Sequence, residues 1–349
     1  MMPLPLGWIA RSEGRRLPRV AAFTCSAWLA AAVAVPAARS LELGMPLDCR
    51  PGLDCWPVRL VDHDPGPGFA DHRCGRLGSD GHDGVDFAIR DPQRMAEGVP
   101  VLAAAAGVVR GGRDGEPDQP PDGRLAVDYG DRNCGNGVVI AHEDGWSTQY
   151  CHMRRGSVAV RPGDKVEAGD RLGLVGMSGE ANFPHVHLIV RRGEEATDPF
   201  TGGPPGEPCG GQAEAAAPLW RAELLGALRY QPVVVASVGL ADAAPQHGEI
   251  VSGTADDRPL RSRSPALVGY ALAYGLARGD RLTLRITGPA GDALAELPFA
   301  IDQDSPRATR SGGRRAPEGG WPAGGYKVEA VVERDGERWS ASRVVEVAQ

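Results

Sequence analysis

Between Val99 and Val190 the chain is a succession of short apolar runs closed by glycine: "VPVLAAAAGVV", "GVVIAHEDGWSTQYCHM", "SVAVRPGDKVEAGDRLGLVG" and "HVHLIV". Turn signals that recur about every 8 to 12 residues suit short antiparallel strands, so an all-β domain is expected here. The insertion "GGRDGEPDQPPDG" is too polar and proline-rich for a core and is expected as an exposed loop.

A chain of 349 residues exceeds one ordinary core, which predicts a second domain. Residues 201–217, "TGGPPGEPCGGQAEAAA", have linker composition, and Cys209 offers a way to tie them down. Beyond them "PALVGYALAYGL", "DRLTLRITGP", "ALAELPFAI" and "GGYKVEAVVERDGERWSASRVVEV" alternate apolar and polar residues around turns. The last reads as a hairpin folded at "RDGE", with Tyr326, Val328 and Ala330 on one face. An immunoglobulin-like antiparallel β-sandwich is expected, and with no titratable cluster in it, a structural or binding role.

The N-terminal stretch has a different logic. Arg11, Arg15, Arg16 and Arg19 precede the apolar "VAAFTCSAWLAAAVAV", which yields to the small residues of "PAARS". That order predicts a signal peptide over residues 1–40, cleaved near Ala38, and therefore export to the periplasm or the extracellular space. The apolar run covers 16 residues, 20 to 35, short of the roughly 20 that span a bilayer, and Cys25 has no lipobox before it. No stable membrane span is expected after cleavage. A formal charge of −7 without any Lys/Arg-rich run excludes a nucleic-acid partner, because neutralising phosphates takes clustered cations.

Setting Cys25 aside leaves six cysteines: Cys49, Cys55, Cys74, Cys134, Cys151 and Cys209. An even number in an exported chain predicts disulfides. The strands flanking Glu143 to Gly145 fold back so as to bring Cys134 close to Cys151. A cysteine zinc site is the poorer reading, since no C-x-x-C pair occurs. Residues 41–80, rich in Gly, Pro, Asp and Cys, are expected as an irregular wrapping segment pinned by these bridges.

The chemistry is concentrated in three places. In "NFPHVHLIV", strand alternation puts His185 and His187 on one face and Val186 on the other. Two imidazoles side by side inside an apolar run have four ring nitrogens to satisfy, and a metal satisfies them. Upstream, "GHDGVDFAI" offers His82 and Asp86 around a glycine bend. Imidazole nitrogen and carboxylate oxygen suit zinc, so His82, Asp86 and one histidine of the pair make three ligands, leaving a fourth position for water. In "TQYCHM", alternation from Trp146 puts Trp146, Thr148, Tyr150 and His152 on one face, and a spare imidazole near such a site can carry a proton.

Taken together, "GHDGVDFAI", "GVPVLAAAAGVV", "GNGVVIAHEDGWSTQYCHM", "VRPGDKVEAGDRLGLVGMSG" and "FPHVHLIV" resemble the successive blocks of the lysostaphin-type (LytM-like, β-lytic) zinc metallopeptidases over about residues 80 to 200. The resemblance implies one zinc ion on His82, Asp86 and His187, with His152 and His185 as the catalytic pair. It implies hydrolysis of peptide bonds by zinc-activated water, in peptidoglycan stem peptides or crosslinks, on a small antiparallel β-sheet core with a groove. With the leader, linker and strand patterns read above, the expected division is a signal peptide (1–40), the wrapping segment (41–80), a zinc metallopeptidase domain (81–205), a linker (206–220) and an accessory β-sandwich (221–349) that offers a surface to a protein partner; the resemblance itself bears only on the metallopeptidase domain. Two positions depart from the family pattern. The approach to His-x-His is "EANFP" rather than small residues, and Ile189 stands where a glutamate is common; Phe183 is expected to narrow the cleft and alter substrate choice.

Two rival readings stand beside this one, the first with the same fold and the second with a different, barrel fold that shares its strand-turn repeats. One is a non-catalytic cell-wall binding or hydrolase-activating protein. The other, prompted by "GDKVEAGDRLGLVG", is a biotinyl- or lipoyl-type carrier, which needs an exposed lysine at a hairpin tip; Lys165 lies in a Gly-Asp turn instead. Of the other histidines, His142 is expected to make a structural hydrogen bond beside its turn. His63 and His72 are expected at the surface, with lining the cleft as the alternative, and His247 has no partner legible in sequence.

Overall fold

The computed structural model describes residues 41–120, 129–206 and 217–349. The expected signal peptide, its cleavage position and Cys209 lie outside the described residues. Among the described residues no helix is long and apolar enough to cross a membrane.

The first half is built on an eight-stranded antiparallel sheet. In chain order the strands of this half are β1 (Cys55–Arg59), β2 (Val85–Ile89), β3 (Pro100–Leu102), β4 (Gly107–Arg113), β5 (Asn136–Ala141), β6 (Trp146–Met153), β7 (Lys165–Val166), β8 (Arg171–Leu174), β9 (His185–Arg192) and β10 (Glu195–Ala196). The sheet runs β1-β2-β9-β6-β5-β4-β7, with β10 added beside β9, while β3 and β8 pair separately. The expected wrapping segment is thus not wholly irregular: β1 pairs with β2 at the sheet edge.

Alternation assigns the two faces of the sheet. Val85, Phe87 and Ile89 of β2 and Val186, Leu188 and Val190 of β9 enter one core with Tyr150 and Trp146 of β6. Asp86, His185 and His187 therefore project from the opposite face. Beside them on that face Ala88, Trp56, Val58 and Phe183 form a second apolar cluster with Val234, Ala236, Tyr270, Leu272 and Tyr274 from the C-terminal half. The face that carries the polar site is thus the face on which the C-terminal half packs.

That half is the expected sandwich. Its strands are β11 (Val234–Ala241), β12 (Ala266–Leu276), β13 (Arg281–Thr287), β14 (Ala293–Ala300), β15 (Ser305–Arg315), β16 (Gly324–Arg334) and β17 (Glu337–Val347). They form sheets ordered β11-β12-β15 and β14-β13-β16-β17, which enclose Leu240, Leu284, Val328 and their neighbours. The β16–β17 hairpin turns at Asp335 and Gly336, both with positive φ, the pattern of a type I′ turn. Tyr326, Val328 and Ala330 point inward, and the Tyr326 hydroxyl donates to the Pro322 carbonyl at 2.8 Å, the tyrosine corner of immunoglobulin-like domains.

Cys134 and Cys151 are joined as expected, and Cys49 is joined to Cys55. The Cys134–Cys151 bridge closes a loop of sequence separation 17 across the β5–β6 hairpin. Restricting the unfolded chain over that length contributes about 3 kcal/mol. A Cys134→Ala/Cys151→Ala double variant is expected to lose about that much in a urea titration; an unchanged midpoint would show that the bridge adds nothing to stability.

Candidate metal centre and catalytic pair

Pairing of β2 with β9 sets Asp86 opposite His187 and Ala88 opposite His185. His82 lies just before β2, its backbone N–H donating to the Ser79 carbonyl. Between them Gly84 is required by closeness: a β-carbon there would stand 2.5 Å from the Leu188 carbonyl oxygen and 2.8 Å from His187 Cε1. Any side chain at position 84 would push β9, and His187 with it, out of place.

Donor atoms of His82, Asp86 and His187 lie within 4.8 Å of one another. Asp86 Oδ1 is their common point: His82 Nε2 is 3.1 Å from it, His187 Nδ1 2.8 Å, and His185 Nε2 3.6 Å. The donor set fits a cation. His82 Nδ1 is 2.8 Å from the Leu60 carbonyl, which can only accept, so Nδ1 carries the hydrogen. Nε2 then turns a lone pair toward a carboxylate oxygen, and two electron-rich atoms face one another until a positive charge sits between them. Two imidazoles and a carboxylate are a set that zinc accepts.

The electrostatics tell the same story. Burial alone would raise the Asp86 carboxyl, but the adjoining imidazoles of His185, His82 and His187 hold it well below the usual carboxylate range. Burial would lower His187, yet its hydrogen bonds and proximity to Asp83 and Asp86 raise it to about 9. Burial pushes His185 down to about 4, against the attraction of Asp86. His152 is pushed well below its ordinary value by burial and then by the neighbouring His185 and His187. His185 and His152 are accordingly neutral near pH 7.

His152 joins the site for a reason that simple alternation misses. Cys151 stands opposite His187, so an unbroken β6 would return His152 to the core face with Tyr150, away from the two histidines of β9. The β5–β6 register instead pairs Val138 with Tyr150 but Asn136 with Met153, leaving Cys151 and His152 opposite Gly137 alone. This bulge, with φ of 61° at His152, re-aims the ring. The expected shared face of Trp146, Thr148, Tyr150 and His152 is thereby corrected: the first three face the core side and His152 the site. The rings of His152 and His185 come within 4.6 Å, centre to centre. Their Nδ1 atoms lie 2.8 Å from the carbonyls of Ser178 and Phe183, which leaves Nε2 of each free to accept a proton.

Sequence reasoning missed Asp83. Its Oδ1 lies 3.2 Å from His187 Nε2 and its Oδ2 accepts from Arg191 at 3.1 Å, while Arg191 also donates to Gln149 at 2.9 Å. A carboxylate on the far nitrogen of a ligating histidine fixes the ring's orientation and tautomer. The signal was present in "GHDGVD" as an acid beside His82, but its meaning depends on β9. Asp83→Asn is expected to weaken zinc binding by about 10- to 100-fold, read in a competition titration against a chromophoric chelator; unchanged affinity would leave Asp83 a surface charge.

The remaining histidines are structural. His142 bonds the Ala106 carbonyl at 2.7 Å and the Thr148 hydroxyl at 2.8 Å, as expected. His63 and His72 depart from the surface expectation. His63 Nε2 lies 2.9 Å from the buried Asp198 carboxylate and His72 Nδ1 3.5 Å from the same oxygen, with the His72 ring stacked on Phe200. Their burial follows from Asp198 and Phe200, which no local pattern links to residues 63 and 72. His247 lies 2.9 Å from the Thr309 hydroxyl.

Residues 80–199 match the family model described as Peptidase family M23. Peptidoglycan DD-endopeptidase ShyA of Vibrio cholerae is 35% identical over 112 residues, which are 32% of this chain and 20% of that protein. DD-carboxypeptidase/endopeptidase Mpg of Neisseria meningitidis is 31% identical over 121 residues, 34% of this chain and 22% of that protein. The catalytic domain of the antimicrobial peptidase lysostaphin from Staphylococcus simulans is 26% identical, with a TM-score of 0.27, covering 39% of this chain and 87% of that one. The matched stretch thus spans about a fifth of the length of the two curated relatives.

Proposed function

We propose, from the premise that residues 80–199 form a domain of peptidase family M23, that the chain is an exported zinc metalloendopeptidase acting on peptide bonds of peptidoglycan, in stem peptides or crosslinks. The observation that carries this reading is the convergence of His82, Asp86 and His187 within 4.8 Å, beside a pair of neutral histidines.

In this reading His82, Asp86 and His187 would hold one zinc ion. Bound there, zinc would supply Lewis acidity for peptide-bond hydrolysis. His152 and His185 do the proton work: each presents an Nε2 lone pair that accepts a proton, and once protonated the same atom donates to a developing oxyanion or to the leaving amine. The carbonyls of Ser178 and Phe183 hold the two rings in the needed tautomer. Burial of Asp86, His152, His185 and His187, with His82 half-buried at their edge, limits bulk water around them and strengthens each of these interactions.

Incubating the purified mature chain with peptidoglycan sacculi tests the reading. Soluble muropeptides with new amino termini are expected; a chelator should stop their release, and stoichiometric zinc restore it. No release from sacculi or muropeptides, together with stimulation of a second hydrolase, would replace the enzyme with an activator of the same fold.

A further inference from the structure

We propose that Arg59 and Arg307 form a carboxylate-binding subsite beside His185, so that the site selects peptides carrying a free carboxylate next to the bond to be cut. The inference deepens the peptidase reading and rests on it for the identity of the reacting centre.

Phe183, in the unusual approach to the His-x-His pair, stacks on His185 with centres 4.2 Å apart. Two guanidinium groups stand over that same phenyl ring: Arg59 Cζ at 5.5 Å from its centre and Arg307 Cζ at 5.6 Å. Arg59 ends β1, whereas Arg307 belongs to β15 of the sandwich, so the two cations reach the histidine's neighbour from different halves of the molecule.

Their charge is poorly matched. Arg307 donates to the Asn182 carbonyl at 2.8 Å and shares a hydrogen bond with Tyr274. Both partners are neutral, and no ion pair within 4.0 Å among the described residues involves Arg307. Arg59 has one, Asp86 at 3.9 Å, a carboxylate already shared by three imidazoles. Burial disfavours the Arg307 charge, the nearby Arg59 adds to the effect, and Tyr274 offsets only part of it.

A partly buried guanidinium that lacks an anion is costly to keep, and a planar fork of N–H donors is the side chain best suited to take a carboxylate through two bonds. Arg307 also lines a groove of about 520 Å³ with Asp302, His247 and Thr309. In this proposal the sandwich contributes to the substrate site through Arg307, which stands over Phe183.

The test is equilibrium binding of fluorescein-labelled peptides to the zinc-loaded full chain carrying His152→Ala, so that binding is read without turnover. One peptide pair differs only in a C-terminal carboxylate or carboxamide; a second, amide-capped pair differs only in an internal Glu or Gln. The acid form is expected to bind about tenfold more tightly in at least one pair, the order set by charge-assisted hydrogen bonds. The pair that discriminates identifies a terminal or a side-chain carboxylate.

Arg307→Gln and Arg59→Gln should each remove most of that preference, while Arg307→Lys, which keeps charge without the fork, should retain part of it. Circular dichroism and zinc content identify any variant that fails to fold, and the Arg59→Gln result then decides. Equal binding of acid and amide in both pairs, or a preference that survives both glutamine substitutions, overturns the subsite and leaves the arginines as clamps on Phe183. Parallel digestion by the unsubstituted chain separates the two claims. Arginine-dependent binding without any cleavage would condemn the peptidase reading alone; cleavage of acid and amide alike, with equal binding, would condemn the subsite alone.

Discussion

His187→Ala is expected to leave the purified chain without stoichiometric zinc and with peptide release reduced at least about a thousandfold. Loss of an outer carboxylate partner weakens a metal site by about 10- to 100-fold, and removing a ligand outright must cost more than that. The geometry makes His187 the least replaceable member of the set. Its Nδ1 is the closest imidazole atom to Asp86 Oδ1, at 2.8 Å, and its ring is gripped from the other side by Asp83. Alanine leaves a buried Asp86 with one fewer partner and a gap that solvent enters. Elemental analysis of the purified protein and release of amino termini from muropeptides read the two losses separately. Stoichiometric zinc in the variant would show that the ion sits elsewhere.

His152→Ala should give the opposite division: zinc content unchanged and kcat lower by about 10²- to 10⁴-fold, the range for loss of a positioned proton carrier. His152 touches the site through its neighbours, 4.6 Å from the His185 ring and 5.9 Å from the His187 ring, and is hydrogen-bonded through Nδ1 to Ser178. Its loss should therefore appear in kcat far more than in KM. Less than tenfold loss, with zinc intact, would remove His152 from the mechanism and leave the proton traffic to His185.

The two variants differ in how far sequence could support them. His187 follows from local rules: an i, i+2 pair on a strand shares a face, and the donor types that zinc accepts stand in the short block around His82 and Asp86. His152 stands out in the sequence for a different geometry from the one it has. Alternation assigns it to the side of Tyr150, and only the bulge opposite Gly137 turns it to the histidines. A bulge depends on the register between β5 and β6, and register is a property of two strands that one strand's pattern does not contain.

The same distinction runs through the rest of the molecule. The Cys134–Cys151 bridge was legible because both cysteines flank a single hairpin. Burial of His63 and His72 was not, because Asp198 lies more than a hundred positions away along the chain. Asp83 was visible as a residue but not as a partner of His187, and Arg307 had no reason to be noticed at all until the sandwich was seen on the site face of the sheet.

By itself the sequence determined what is local: strands from short alternating runs, turns from glycine and Asp-Gly pairs, an inward face for Tyr326, Val328 and Ala330, and a donor inventory of imidazoles and a carboxylate. Tertiary structure alone decided which donors converge, which way His152 points, and that guanidiniums from two halves meet over Phe183. The physical reason is range. Backbone geometry and side-chain alternation act over a few residues, whereas convergence depends on burial and pairing among segments that only the folded chain brings together.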